Sequence, residues 1–357
     1  MNSELIEALN VLEKEKDIDK NVLLDAIENS LITAYKNHFD KADNVKVTID
    51  RENGDFAIFS EKEVVETVEN PVTQISLTDA NLINKKYKLG DIVNIEIKTK
   101  EFGRIATSVA KSVITQKIRE EEKNAVFNKY YSKENDIITG IIKKITPKGV
   151  VVNLGKVDAM LTENDLVKTE KLKINDRIKV YVTDVTNQER SSTPKISISR
   201  VSPELVKRLF ENEVAEIKDG IVEILNVARD PGARSKICVR SRNPKVDPVG
   251  SCVGVNGSRV GIVVAELKGE KIDIIRYDEN PAIFVEAALS PAKVVSVEAD
   301  ADERSAKVVV PDYQLSLAIG RNGQNAKLAA GLTGYRIDIK SETQAKELAE
   351  KEAQQES

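Results

Sequence analysis

Two stretches of the sequence repeat each other, and this repeat limits what the chain can fold into more than any other feature. The first centres on Gly254-Val255-Asn256-Gly257 and the second on Gly320-Arg321-Asn322-Gly323. A lone G-x-x-G says little, because glycines mark turns everywhere. Here the surroundings match as well. A short apolar segment precedes each loop: Pro248, Val249, Cys252 and Val253 before the first, Tyr313, Leu315, Leu317, Ala318 and Ile319 before the second. Apolar residues at helical spacing follow each loop, over 259–267 and 326–332, and then an alternating run, Lys271-Ile272-Asp273-Ile274 or Arg336-Ile337-Asp338-Ile339. Both copies read as helix, glycine loop, helix, strand at nearly matching offsets. Matched offsets identify a tandem of one module.

The physics of such a loop points to nucleic acid. Two glycines in a tight helix-to-helix turn remove side-chain bulk, so a sugar-phosphate backbone can approach the main chain. The N-terminus of the second helix adds free N–H groups and a positive dipole at the same spot. An apolar groove beside the loop would then hold unstacked bases. The competing reading is a bare Schellman turn between packing helices, which the matched pair disfavours. The loop resembles that of the KH domain, whose GXXG clamps about four nucleotides of a single strand. On that resemblance the clamp residues are Gly254, Val255, Asn256 and Gly257, and Gly320, Arg321, Asn322 and Gly323, with Lys327 in the helix that follows. KH loops often carry a Lys or Arg at a variable position. Arg321 supplies it in the second copy; the first has none, and Arg259 is expected to substitute.

A net charge of −4 does not announce a nucleic-acid binder, but its distribution says more. Residues 1–70 are acid-rich, whereas Arg229, Arg234, Lys236, Arg240, Arg242 and Lys245 gather just upstream of the first loop. A charge run is ordinarily a solvated face. Inside a module that already points to RNA, this one is expected to belong to the footprint. Aromatic residues make up only 4% of the chain and tryptophan is absent, so stacking platforms must be few. Cys238 and Cys252 form no C-x-x-C and His38 is the only histidine, which argues against a zinc site or a disulfide framework; no metal or cofactor is expected. The cysteines are expected to be small buried hydrophobes and His38 to sit at a helix end. No run approaches the roughly 18–20 apolar residues of a membrane helix, and the first residues begin no signal peptide. The chain is therefore expected to be cytoplasmic, with no membrane partner.

The remaining sequence reads as further domains, in keeping with 357 residues. Apolar spacing predicts helices over 3–15 and 21–38, then strands at 45–49, from 56 towards 68 around an Asn53-Gly54 turn, and at 92–97. A long polar helix follows from about Arg104 to Tyr130, with Val109, Val113, Ile114, Ile118 and Val126 on its apolar stripe. Five short strands are expected between 136 and 199, enough for a small OB-type barrel. Their wording, with Lys148-Gly149-Val150-Val151-Val152-Asn153-Leu154 and Ile196-Ser197-Ile198-Ser199-Arg200, resembles the S-one domain. Such domains usually expose aromatic residues to hold bases, and these strands lack them, so RNA contact there is expected to be weak. From Pro203 and again from Pro281 the order is α-β-β-α-α-β, as in bacterial-type (type II) KH modules. The tail, rich in Glu, Lys, Ala and Gln, is expected to be a frayed helix or disordered.

An acidic head, an S-one barrel and two tandem KH modules make the chain resemble the bacterial NusA transcription-factor family over nearly its whole length. Local wording agrees: Ser199-Arg200-Val201-Ser202-Pro203-Glu204-Leu205-Val206, Phe210-Glu211-Asn212-Glu213-Val214, Asp247-Pro248-Val249-Gly250, 266–274 and Ala318-Ile319-Gly320-Arg321-Asn322-Gly323-Gln324-Asn325. The resemblance implies a multidomain α+β chain: an α/β head with a long helix (1–130), the barrel (131–200), the KH domains (201–280 and 281–345) and a flexible tail (346–357). It implies a head that binds RNA polymerase and modules that engage nascent single-stranded RNA, together modulating pausing, termination and antitermination. Other Nus factors would be further partners, and the chain a monomer. Acidic C-terminal repeats carried by some members are not implied. An enzyme is not expected: an RNA-degrading phosphorolytic enzyme would place such modules after large catalytic domains, and the sequence offers no P-loop, histidine pair or clustered carboxylates. The alternative is a KH and S-one factor acting in translation or RNA decay.

Overall fold

The computed structural model describes residues 2–16, 19–39, 44–51, 54–97, 102–188 and 191–355. The chain divides into two units, residues 1–126 and 127–357. The first begins with helices α1 (Asn2–Lys16) and α2 (Lys20–Phe39), whose last turn includes His38. Strands β1 (Val45–Ile49), β2 (Phe56–Val65), β3 (Gln74–Ser76) and β4 (Ile92–Glu96) form one sheet, with helix α3 (Leu77–Ile83) between β3 and β4. The ten-residue β2 is the spine: β1 and β4 pair with it antiparallel, β3 parallel. Asn53 of the expected hairpin turn lies outside the described residues; Gly54 takes a positive φ and donates to the Asp50 carbonyl.

Leu9, Leu23, Leu24, Ile27, Leu31 and Tyr35 bury one helical face against Val47, Ile49 and Ile58 of the sheet. Helix α4 (Phe102–Tyr131) completes this core with Ala106 and Ala110, and the predicted stripe Val109, Val113, Ile114 and Ile118 packs against it. Residues 69–89 held more structure than their polar sequence suggested. Val64, Ala80 and Val93 make a second small core, and Ser76 caps α3 by accepting from the Asp79 N–H at 3.1 Å.

The second unit takes over in the last turn of α4, where the buried Tyr130 hydroxyl donates to the Leu154 carbonyl at 2.8 Å. Strands β5 (Ile137–Thr146), β6 (Gly149–Asn153), β7 (Asp158–Thr162), β8 (Arg177–Thr186) and β9 (Lys195–Ser199) run antiparallel in the order β7-β6-β5-β8-β9. With β7 lying beside β9, the sheet nearly closes into the expected five-stranded barrel. Alternating valines and isoleucines, among them Ile142, Val150, Val152, Ile178, Val180 and Ile198, fill its interior.

The first repeated module comprises α5 (Pro203–Glu213), α6 (Ala215–Lys218), β10 (Val222–Asp230), β11 (Arg234–Ser241), α7 (Pro248–Val253), α8 (Ser258–Glu266) and β12 (Lys271–Arg276). The second comprises α9 (Pro281–Ala288), β13 (Ser296–Asp300), β14 (Ser305–Val310), α10 (Leu315–Ile319), α11 (Gln324–Thr333) and β15 (Arg336–Ser341). In each, the middle strand is antiparallel to one neighbour and parallel to the other. Strand β13 starts later than the expected Lys293, because Leu289 to Ala292 close the end of α9 and pairing with β14 begins only at Val295. The tail, expected to be frayed or flexible, forms helix α12 (Glu342–Gln355). Thr343 and Gln344 tie its start to Asp312 and Ser341, and its Glu, Lys, Ala and Gln residues are strong helix formers.

Candidate nucleic-acid interface

The two glycine loops are conformational copies. Gly254 has φ 75° and ψ 174°, and Gly320 has φ 75° and ψ 172°. This mirror-image extended region is open essentially to glycine alone. Space reinforces the requirement: a Cβ on Gly320 would meet the Asn325 backbone N at 2.8 Å, and one on Gly254 would meet the Arg259 Cγ at 2.8 Å. Asn256 and Asn322 are left-handed, at φ 52° and 54°. Val255, Asn256, Arg321 and Asn322 are all exposed at the tips.

Five residues after each first glycine, a side chain reaches back across the loop. Arg259 Nη1 donates to the Ser251 carbonyl at 2.7 Å and pairs with Glu216 at 2.7 Å. In the second copy, buried Asn325 Nδ2 donates to the Ala318 and Leu289 carbonyls, both at 3.0 Å. These staples hold the helices on either side of each loop at a fixed angle. Arg259 was expected as the missing phosphate contact of the first loop; it is instead a half-buried staple.

The basic cluster upstream of the first loop separates into three groups. Arg229 is buried, with its guanidinium on Glu270 at 2.9 Å and on the Ser202 carbonyl at 2.7 Å; Glu270 also accepts from Ser235 and the Gly232 N–H. Lys236 is buried too, with Nζ on Asp273 at 3.0 Å and on the Ser290 carbonyl at 2.7 Å. These two leave the expected RNA footprint, because no phosphate can reach them. Arg234 grips Asp273 through two hydrogen bonds of 2.6 and 2.8 Å and is mostly covered. Arg240 and Arg242 remain at the surface, both bound to Glu223, whose carboxyl they hold below its usual range. Lys245 is exposed. In the second module, by contrast, Arg321 and Lys327 are exposed and form no ion pair among the described residues.

The modules form one packed pair. Ala228, Cys238 and Ile275 of the first sheet join the core of the second module, against Leu328, Ala329 and Leu332 of α11. Asn226 Nδ2 donates to the Leu332 carbonyl at 2.9 Å, and Gln324 Nε2 to Asp230 at 2.6 Å. Cys238 and Cys252 are free and buried, and burial pushes both thiols up to about 12. A second junction, not legible beforehand, joins barrel to module. Buried Arg200 binds Glu170, the Lys179 carbonyl at 2.6 Å, Glu266 at 3.2 Å and the Glu266 carbonyl at 3.0 Å. Its sequence signal was only the Ser199-Arg200 wording, since its partners lie 21 to 66 residues away. The barrel's outer face shows Ile141, Ile145 and Met160, with Lys143 paired to Asp158 at 2.7 Å. Those exposed positions carry no aromatic ring.

Family comparisons cover the chain in four parts. The NusA N-terminal domain matches residues 4–124, the S1 RNA binding domain 131–195, the NusA-like first KH domain 200–277 and the NusA-like second KH domain 281–347. The transcription termination/antitermination protein NusA of Halalkalibacterium halodurans is 52% identical over 98% of this chain and 91% of its own length. Its Bacillus subtilis namesake is 51% identical over 98% and 93%. Among solved structures, the solution structure of the N-terminal domain of NusA from B. subtilis matches 34% of this chain and 98% of its own, at 48% identity and a TM-score of 0.32.

Proposed function

The chain belongs to the NusA family of transcription termination/antitermination proteins, and from that premise we propose that it is an elongation factor that couples RNA polymerase to nascent RNA. Residues 1–130 bind polymerase; the barrel and the KH pair engage single-stranded RNA as it emerges, and the chain thereby biases pausing, termination and antitermination. It acts by binding rather than by catalysis, as a cytoplasmic monomer, with other Nus factors as further partners. One observation carries the RNA half of this reading: two glycine loops of the same conformation, held on one packed pair of modules. A fixed pair lets one strand engage both loops, so binding at one raises the effective concentration at the other.

The polymerase half is tested by capture on core polymerase. The whole chain should be retained without RNA, and a deletion lacking residues 1–130 should lose most of that retention. Equal capture of both would overturn the division of labour. A lysate pull-down dominated by ribosomal proteins would instead favour a translation factor.

A further inference from the structure

The internal repeat lets each loop serve as the control for the other. Aligned on the first glycine, Asp247, Ser251 and Val255 of the first module correspond to Tyr313, Leu317 and Arg321 of the second. Tyr313 and Leu317, four apart along right-handed backbone, share a face. Arg321 opens the next turn beyond Gly320, whose φ of 75° and ψ of 172° end α10. In the second module all three are exposed, Tyr313 at 77% and Leu317 at 44%. The result is an exposed aromatic ring and aliphatic edge on one face, followed past the Gly320 break by an exposed cation at the loop tip. The turn beneath Tyr313 is anchored, since Asp312 accepts from the Thr343 hydroxyl at 2.9 Å. The first module's row has different occupants. Asp247 caps α7 and pairs with Arg276 at 2.9 Å, the Ser251 carbonyl accepts from Arg259, and Val255 brings no charge.

We propose that Tyr313, Leu317 and Arg321 form one contact row for single-stranded RNA, in which a base stacks on the Tyr313 ring while Arg321 holds a neighbouring phosphate. This rests on the reading of the modules as RNA-binding, and it assigns base stacking to the second module alone. Every base offers a π-face, so such a platform adds affinity without demanding a sequence. The row's cation is a guanidinium, which matches phosphate geometry with parallel N–H donors. The corresponding row of the first module begins with Asp247, a carboxylate tied to Arg276 and to the start of α7, and offers no ring.

The test is fluorescence anisotropy on the full chain with a labelled single strand of about ten nucleotides, a length that spans such sites. A second probe is the same strand with its bases removed. Tyr313→Ala should weaken binding of the base-bearing strand by roughly fivefold or more, the lower end of what one stacked base contributes. It should leave binding of the abasic strand unchanged. Tyr313→Phe should retain wild-type affinity on both, and all three proteins should melt alike. Unchanged affinity in Tyr313→Ala would overturn the row. So would an equal loss in Tyr313→Phe, or an equal loss on the abasic strand, since either would move the contact from the ring to the hydroxyl or to phosphate. Failure of the wild-type chain to bind RNA at all would remove the RNA reading of both modules, and the row with it.

Discussion

The same Lys–Asp pair stands at the same register in both KH modules, with opposite surroundings. Lys236 lies across from Asp273 on β11 and β12, and Lys307 across from Asp338 on β14 and β15. In the first module the lysine is buried by the second module, its Nζ locked onto Asp273 and the Ser290 carbonyl. In the second module Lys307 and Asp338 both face solvent, beside exposed Glu298. One Lys–Asp pattern thus yields an interior ion pair or a wet surface, depending on what packs above it and on Arg234, whose counterpart at the same register is Ser305. The difference extends to the charges around the loops. The first module spends its arginines on its own carboxylates, whereas the second leaves Arg321 and Lys327 open. The first module's basic side chains mostly hold its own fold together, and the second presents two cations to solvent.

Removing the carboxylate from each pair should break this comparison most visibly. Asp273→Ala leaves Lys236 buried without its counter-charge and should cost about 3 kcal/mol, against less than about 0.5 kcal/mol for Asp338→Ala. Chemical denaturation measures both; equal costs would contradict the burial contrast. Acid sharpens the test. Burial pushes the Asp273 carboxyl up, but hydrogen bonds from Arg234 and the charge and hydrogen bond of Lys236 outweigh it and hold it below its usual range. A carboxyl lowered on folding stabilises the fold above its unfolded pKa, and that contribution is lost as pH falls through the folded value. The gap between wild type and Asp273→Ala should therefore close at the acid end.

A smaller effect should divide the glycines within each loop, identically in the two modules. Gly320→Ala puts a Cβ against the Asn325 backbone in a region that side chains avoid, and should cost about 1–3 kcal/mol. Gly323→Ala meets nothing nearer than the Lys327 Cε at 3.7 Å and suffers only the left-handed penalty, about 1 kcal/mol. Thermal melts of the two variants, and of Gly254→Ala and Gly257→Ala, should show the same order. A reversed order in either module would mean that its loop is held differently.

Most of the fold was legible because its signals are local. Periodicity identified α1, α2, α4 and the barrel strands, and the repeated offsets around Gly254 and Gly320 identified the paired modules. What escaped was short or depended on distant partners. Strand β3 and helix α3 lie in a polar stretch whose three buried anchors, Val64, Ala80 and Val93, are far apart in sequence. Of the candidate site, the loop conformations followed from the glycines themselves. The fate of the basic residues did not, because Arg229 meets Glu270 only when the first module's sheet forms, and Lys236 meets Ser290 only after the modules stack. Tyr313 reads in the sequence as one more apolar residue of the helix before the loop, since nothing local says that it faces solvent.

On the proposed reading, the strand's phosphates are gripped at the second loop and not by the cluster around the first. Salt titration of RNA binding tests it directly, since for single strands log K falls with log salt by about 0.7 per phosphate neutralised. Arg321→Val should make the slope shallower by about that amount, and Val255→Arg, which copies the second loop into the first, should steepen it by as much. Arg229→Lys should leave it unmoved. An unchanged slope in Arg321→Val, together with a flattened slope in Arg240→Ala, would contradict the account and return the phosphate contacts to the first module.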